Sequence, residues 1–343
     1  MKKILFSLVP LLILALLLEI GGRCFYYQRY SLGSLAVIQM FEDIVKKKKD
    51  LTLKWAIEDF KAQIPMDMDK HEEEFFSSPS MAEKRREFCE KYEVIFKELV
   101  RQCKVADALL VVLYIPGGDK PATTVSRPFF LQLCRKFDIP ILDLTEEFRK
   151  YPVNHYSLWP EDGHMSRFGN SIIAERAVEF LKPYLGHRTS VEYSQRPRLL
   201  GDFNPNWEGL TKVKNLLVGK VVTNSQGLRR QTDLRFPKPT EKTRILVLGD
   251  SFTYGAYMSN PNCFPQLMEK KCTNIEVVNA GKNGYTICDE YSYFVERGRF
   301  TEPDIVLLQV FYNDLYGFFP FLQKLFCRGG KFCPCQGKWK PAR

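Results

Sequence analysis

Only four of the 343 residues are histidine, and that scarcity narrows any acid-base chemistry before a motif is sought. His71 and His187 lie in polar stretches, which leaves His155 in H-Y-S-L-W-P and His164 in E-D-G-H-M-S-R as candidate general bases. Metal ligands are equally sparse. Cys327, Cys333 and Cys335 make a C-x5-C-x-C cluster with no fourth ligand at a zinc-site spacing, so the tail reads as disulfide or free thiols and no metal is expected. No recognisable nucleic-acid module accompanies the formal charge of +10. Much of that excess sits in Lys46–Lys49 and after Arg328, as a solvated basic face would, and a nucleic-acid partner is not expected.

One long apolar run is present, Ile4–Ile20, broken only by Ser7, Pro10 and Glu19. Its 17 residues stand at the lower limit for a spanning helix, and they also have the shape of a secretory signal. Gly21, Gly22 and Arg23 give no small-x-small cleavage site, and Arg23 before Cys24 makes no lipoprotein box. The expectation is therefore an uncleaved single-pass anchor over 1–22 with an extracytoplasmic body. An exported body with ten cysteines is expected to pair some of them.

The rest is ordinary for a folded chain, 45% apolar and 26% charged, enough for one large or two modest domains. Residues 23–104 read as a juxtamembrane helical region. Within it Leu35, Ile38, Phe41 and Ile44 recur at helical spacing, and a second helix is predicted over 82–103 with Phe88, Tyr92, Ile95, Phe96, Leu99 and Val100 on one face. Ala108–Ile115, closed by Pro116, Gly117 and Gly118, has the pattern of a buried parallel strand. A helix over 128–136 and a strand over 139–144 follow. Ser166 would cap a helix running from about Arg167 to Leu185, with Gly186 at its end. The connector 189–243 is rich in Pro, Asn and Gly and predicts turns and short edge strands. Strands are then predicted over 245–248, 274–278 and 304–310, with helices over 264–271 and 288–299 between them, and a basic tail over 319–343. Alternation of strand and helix predicts an α/β fold.

Arg244–Gly255, R-I-L-V-L-G-D-S-F-T-Y-G, concentrates the chemistry. A buried strand ends at Gly249, and Ser251 follows at the carboxyl end of the sheet, where open α/β folds bind ligands. The stretch resembles the first signature block of the GDSL, or SGNH, serine esterase family. Asp162-Gly163-His164 before a helix is similar to that family's last block, and N-A-G-K-N-G-Y and F-Y-N-D-L to its second and third. The resemblance implies Ser251 as nucleophile, His164 as general base and Asp162 as its orienting acid. It further implies an oxyanion hole from the Ser251 and Gly284 N–H groups and the Asn313 side chain. The family's acid commonly lies three residues before the histidine, which makes Glu161 the alternative; the two-residue spacing of Asp162 resembles alginate O-acetylation proteins. Tyr312 stands where the family commonly has glycine.

His164 precedes Ser251, against the usual block order. Five strands in all equal one flavodoxin-like sheet, so the expectation is a three-layer sandwich over 105–318 with a five-stranded parallel sheet, circularly permuted between its third and fourth strands. The activity implied is that of a membrane-anchored esterase, without cofactor, acting on small or carbohydrate-linked acyl esters through an acyl-enzyme. The alternatives are transfer of the acyl group to an envelope polysaccharide and a non-catalytic membrane scaffold of two incomplete halves. In the scaffold Ser251 and His164 would not meet. The oligomeric state is left open.

Overall fold

The structure is a computed structural model that describes residues 76–118, 121–213 and 216–315, all within one compact unit, His71–Arg343. The apolar run 4–20, the helical spacing at 35–44 and the tail cysteines lie outside the described residues. Among those described, no helix is long and apolar enough to cross a membrane.

Five short, β-branched and leucine-rich runs form the central sheet: β1 Leu109–Tyr114, β2 Ile141–Asp143, β5 Thr243–Leu248, β6 Ile275–Asn279 and β7 Ile305–Val310. Every pairing is parallel, in the order β2-β1-β7-β5-β6. All positions of β5, β6 and β7 are buried, so helices cover both faces, as continuous apolar strands require. Counted from β5, the strands run in space as second, first, third, fourth, fifth. That is the flavodoxin order, and it reverses direction between β5 and β7. A chain starting at the fourth strand and finishing at the third produces it, because relocating chain ends to a surface loop leaves the contacts of the sheet unchanged.

Helix α1 (Ala82–Val105) packs on β1, and Tyr92, Ile95, Phe96, Leu99, Val100 and Cys103 enter the same core as the strands. The expected boundary at 104 therefore does not separate α1 from the sheet. Helix α2 covers Pro121–Phe137 and not only 128–136; Pro121 takes the first position, where a missing N–H costs nothing, and Pro128 is carried inside. The helix after the Asp-Gly-His loop, α3 (Arg167–Leu181), is capped by Ser166, whose hydroxyl accepts from the Gly169 N–H at 3.2 Å. It stops four residues short of Leu185, because Pro183 cannot donate to the preceding turn and a 3-10 turn, Lys182–Tyr184, takes over. Gly186 is consequently not its cap.

The connector supplies an antiparallel pair, β3 (Glu208–Val213) and β4 (Leu216–Val222). Past it, the turn N-S-Q-G-L-R closes on itself, with Asn224 Oδ1 accepting from the Gln226 and Leu228 N–H groups at 3.1 and 2.8 Å. Arg229 then points inward with no exposed surface. Helices α4 (Ser251–Tyr254), α5 (Phe264–Lys271) and α6 (Ile287–Glu296) complete the layers. Charge enters the core at the foot of β5, where the Arg244 guanidinium meets Glu276 of β6 at 2.7 Å and donates to Thr301 O at 2.6 Å.

Six of the ten cysteines lie among the described residues, and Cys89, Cys103, Cys134, Cys263 and Cys272 are free thiols. The expected pairing is not seen there because these side chains serve as small core residues: Cys103, Cys134 and Cys263 are buried. Burial pushes the Cys134 thiol up to about 12 and the Cys89 thiol to about 11, which keeps both unreactive.

Candidate active site

Strand β5 delivers the Ser251 turn to the place where the strand order reverses, the crevice that open α/β sheets use for ligands. Gly249, with φ +153, makes the turn possible; a Cβ there would lie 2.3 Å from Thr253 Oγ1. Asp250 caps α4, its carboxylate accepting from the Phe252 N–H at 2.9 Å. Gln309 of β7 fastens the turn from the neighbouring strand: its Oε1 accepts from Thr253 Oγ1 at 2.9 Å, Thr253 N at 3.2 Å and Asp250 N at 3.3 Å.

Opposite Ser251 stands the loop 157–165, closed by the Leu158 N–H to His164 O bond at 2.8 Å and a single antiparallel bridge, Ser157 to Met165. Asp162 Oδ1 accepts from the His164 N–H at 2.8 Å and sits 2.5 Å from the ring Nδ1. One carboxylate oxygen thus holds both the backbone and the ring of the residue two positions on, the geometry of an Asx turn. With Nδ1 held against the Asp162 carboxylate, Nε2 faces Ser251, whose Oγ lies 2.7 Å from it. Two incomplete half-domains would have kept these side chains apart; they meet because both loops emerge at the carboxyl end of one sheet.

Burial opposes charge on Asp162, but the two His164 hydrogen bonds, the imidazole beside it and the Tyr257 hydroxyl outweigh this and hold its carboxyl below the ordinary range. Glu161 is exposed, and no hydrogen bond joins it to His164. Of the other histidines, His155 is exposed, with its carbonyl accepting from Ser166 Oγ. His187 Nε2 is spent on Asp107 O at 2.9 Å, and His71 lies outside the described residues.

The three residues expected to supply the oxyanion hole lie at the turn itself and on the adjoining loops. Ser251 opens α4, where its N–H has no acceptor within the helix. Gly284, at φ +77, lies in the 280–286 loop after β6. That loop is docked beside the nucleophile by the Lys282 N–H to Gly249 O bond at 3.2 Å and by Gly281, where a Cβ would lie 2.3 Å from Tyr254 N. Asn313 follows β7 and donates one amide hydrogen to Asp250 Oδ2 at 2.8 Å, which fixes the plane of the amide and leaves its second hydrogen available. The tyrosine in the usual glycine position is accommodated by glycine elsewhere. Its ring occupies the space beside Gly117, where a Cβ would lie 2.4 Å from it.

Sequence reasoning missed four supporting side chains. Tyr257, with φ 65, sets its ring edge-on to His164 at 5.5 Å, and its hydroxyl helps to hold the Asp162 carboxyl below the ordinary range. Phe252 flanks the same imidazole at 5.1 Å. Arg229 donates to Gly255 O at 3.2 Å, Met258 O at 2.5 Å and Asn260 Oδ1 at 3.1 Å, and also to Tyr254 O, and so shapes the loop that carries Tyr257. Gln309 is the fourth. Phe252 lies within the R-I-L-V-L-G-D-S-F-T-Y-G stretch and Gln309 within a predicted strand, but nothing in the local sequence around the four signals the contacts they make.

Among the described residues no group of three or more His, Cys, Asp or Glu side chains is arranged to hold a metal ion. Chemically, the site offers a hydroxyl in hydrogen-bond reach of an imidazole nitrogen, with a carboxylate on the far side of the ring.

A scan against protein-family models and a search of curated proteins give no match. Among solved structures the chain is similar to the O-acetyltransferase domain of Pseudomonas putida AlgJ, at 11% identity and a TM-score of 0.47, over 74% of this chain and 94% of that one. It is also similar to Pseudomonas aeruginosa AlgX, at 16% identity and a TM-score of 0.38, over 66% of this chain and 56% of that one. The match thus spans about half the length of AlgX.

Proposed function

We propose that the protein is an SGNH-type serine enzyme of acyl esters, working through an acyl-enzyme on Ser251. The observation that carries this is the hydrogen-bonded relay from Asp162 through His164 to Ser251 Oγ, with legs of 2.5 and 2.7 Å. Ser251 Oγ attacks the ester carbonyl while its proton passes to His164 Nε2. Asp162 holds the ring and stabilises the imidazolium. The tetrahedral oxyanion rests on the Ser251 and Gly284 N–H groups and on Asn313. As the C–O bond to the alcohol breaks, the leaving oxygen takes the proton from His164, and the acyl group stays on Ser251. Water, deprotonated by His164, then releases the acid and restores the hydroxyl.

A second acceptor is favoured by one sequence feature: the Asp-x-His block lies upstream of the serine block, as in the alginate O-acetylation proteins the sequence resembles. In that reading a sugar hydroxyl replaces water in the second half-reaction, and an acetyl ester moves to an envelope polysaccharide. The apolar run 4–20 would anchor the enzyme, placing the body outside the cytoplasm.

The test is acetate release from an aryl acetate by wild type and Ser251→Ala, with and without an added oligosaccharide. Turnover by wild type alone supports the acyl-enzyme. Acetyl recovered on the sugar identifies a transferase, and release to water only identifies an esterase. Equal rates with and without the hydroxyl would remove Ser251 from the mechanism.

A further inference from the structure

The oxyanion loop is built on a single turn, Lys282-Asn283-Gly284-Tyr285, closed by the Tyr285 N–H to Lys282 O bond at 3.1 Å. Gly284 stands third in the turn with φ +77, the pattern of a type II turn, which directs the N–H at the third position away from the turn. On the side where a Cβ would stand Gly284 is open, with no atom within 4 Å of that position. The position of its N–H therefore depends on how the two ends of the turn are held.

Both ends are held by one oxygen. Asp202 Oδ2 accepts from Lys282 Nζ at 2.6 Å and from the Tyr285 hydroxyl at 2.6 Å, so the first and last residues of the turn converge on it. Its other oxygen accepts from Arg297 Nη1 at 3.1 Å, and the same Nη1 donates to Gly201 O at 2.5 Å. Asp202 comes from the connector, 80 residues before Lys282. Burial disfavours its charge, but Lys282 and Arg297 more than compensate and keep its carboxyl below the ordinary range, so the clamp is ionised at neutral pH. Charge-assisted bonds of this kind are roughly twice as strong as neutral ones, which suits a part that must stay still while charge develops next to it.

We propose that Asp202 is a positioning residue of the oxyanion hole: from the connector it clamps the 282–285 turn and thereby aims the Gly284 N–H. This rests on the reading of Gly284 as an oxyanion donor under the acyl-enzyme mechanism. It assigns the connector a part in the chemistry, since the carboxylate that sets the donor belongs to neither the serine block nor the Asp-x-His block.

The experiment compares wild type, Asp202→Ala, Asp202→Asn and the remote control Glu208→Gln, which disturbs only the exposed pair of Glu208 with Lys220. Aryl acetate kinetics are normalised to sites titrated with a fluorophosphonate, affinity for an arylboronic acid is measured as a mimic of the tetrahedral intermediate, and hydrogen exchange is followed in peptides covering 280–286. For Asp202→Ala the expected result is kcat per titrated site down roughly tenfold to a hundredfold, on the scale of a weakened oxyanion donor, with KM within about twofold. Boronate affinity falls by the same factor and exchange in 280–286 quickens. Asp202→Asn, which keeps an acceptor for Lys282 and Tyr285, falls between, and Glu208→Gln matches wild type.

A kcat per titrated site equal to wild type in Asp202→Ala overturns the inference while leaving the acyl-enzyme intact. A fall in kcat without a matching loss of boronate affinity overturns it as well. Wild type that neither turns over the ester nor binds the boronate sinks the mechanism itself, and the clamp with it. Should Asp202→Ala not fold, Tyr285→Phe removes one arm of the clamp and is read by the same measurements.

Discussion

Nε2 of His164 and Oγ of Ser251 lie 2.7 Å apart across 87 residues of chain. No local segment joins them; the sheet does, by setting the loop after β2 and the turn after β5 at the same carboxyl edge. The short range leaves no room for water between base and nucleophile, so the pair should respond sharply to changes on either side of the imidazole.

Asp162→Asn should keep the fold and lose about 10^4-fold in kcat, because an amide at that position favours the wrong imidazole tautomer. Glu161→Gln, at an exposed carboxylate, should stay within about twofold of wild type. Steady-state kinetics on an aryl acetate check both, and a larger loss at Glu161 than at Asp162 would reassign the acid.

Asn313→Ala should cost about 100-fold to 1,000-fold in kcat with KM little changed, since a donor to the developing oxyanion acts in the transition state. A second effect is expected on Asp250, whose carboxyl burial already pushes up and which the Asn313 amide helps to keep charged. Without that amide, a dependence of rate on pH should emerge at the acid side of the profile, measured as kcat/KM against pH.

Arg229→Met should destabilise the protein by about 3 kcal/mol or more. The guanidinium is fully buried, stacks on the Tyr254 ring at 4.1 Å and satisfies the carbonyls of the loop after α4, and each acceptor left unpaired costs about 1–3 kcal/mol. Urea denaturation gives the value. Arg229→Lys should not rescue, because an ammonium cannot reach acceptors spread across a planar fork.

Glu290→Gln should stabilise the protein increasingly as pH rises from about 5 to 8. Glu290 of α6 is buried with neither carboxylate oxygen bonded, and burial, reinforced by Asp314 and Asp250, pushes its carboxyl well above the ordinary value of 4.5. Between that value and its raised one, the folded protein keeps the proton that the unfolded chain gives up. Unfolding then releases a proton, so this group erodes stability as pH rises. Glutamine has no such proton. Melting curves for both proteins at several pH values should diverge, each ~1 kcal/mol of relief being worth about 2–4 °C. Parallel curves would show that Glu290 is ionised in the fold.

The strands and the catalytic candidates could be read from the sequence for the same reason: both depend on short stretches. Ile245–Leu248 and Ile305–Val310 are apolar without a break because both faces of a central parallel strand are covered. Asp162 and His164 signal each other because the contact spans two residues. Even the permutation follows from counting five strands. Helix ends were less legible, since Pro128 and Pro183 act through neighbouring backbone geometry.

Which carboxylate meets His164, and what supports the site, emerge only in the folded chain. Asp162 holds the imidazole because the loop 157–165 folds its carboxylate under the His164 N–H, a matter of turn geometry that composition does not encode. Gln309 on β7 and Arg229 and Asp202 in the connector reach the site across tens of residues, and Tyr257 reaches His164 from the loop after α4, so the value of each contact depends on where another element ends. A parallel α/β sheet with a serine at its carboxyl edge follows from the residues alone, because hydrophobic pattern and local motif are written residue by residue. The loops around that serine are held by long-range hydrogen bonds, Lys282 to Asp202 and Thr253 to Gln309 among them, which exist only once the sheet has brought them together.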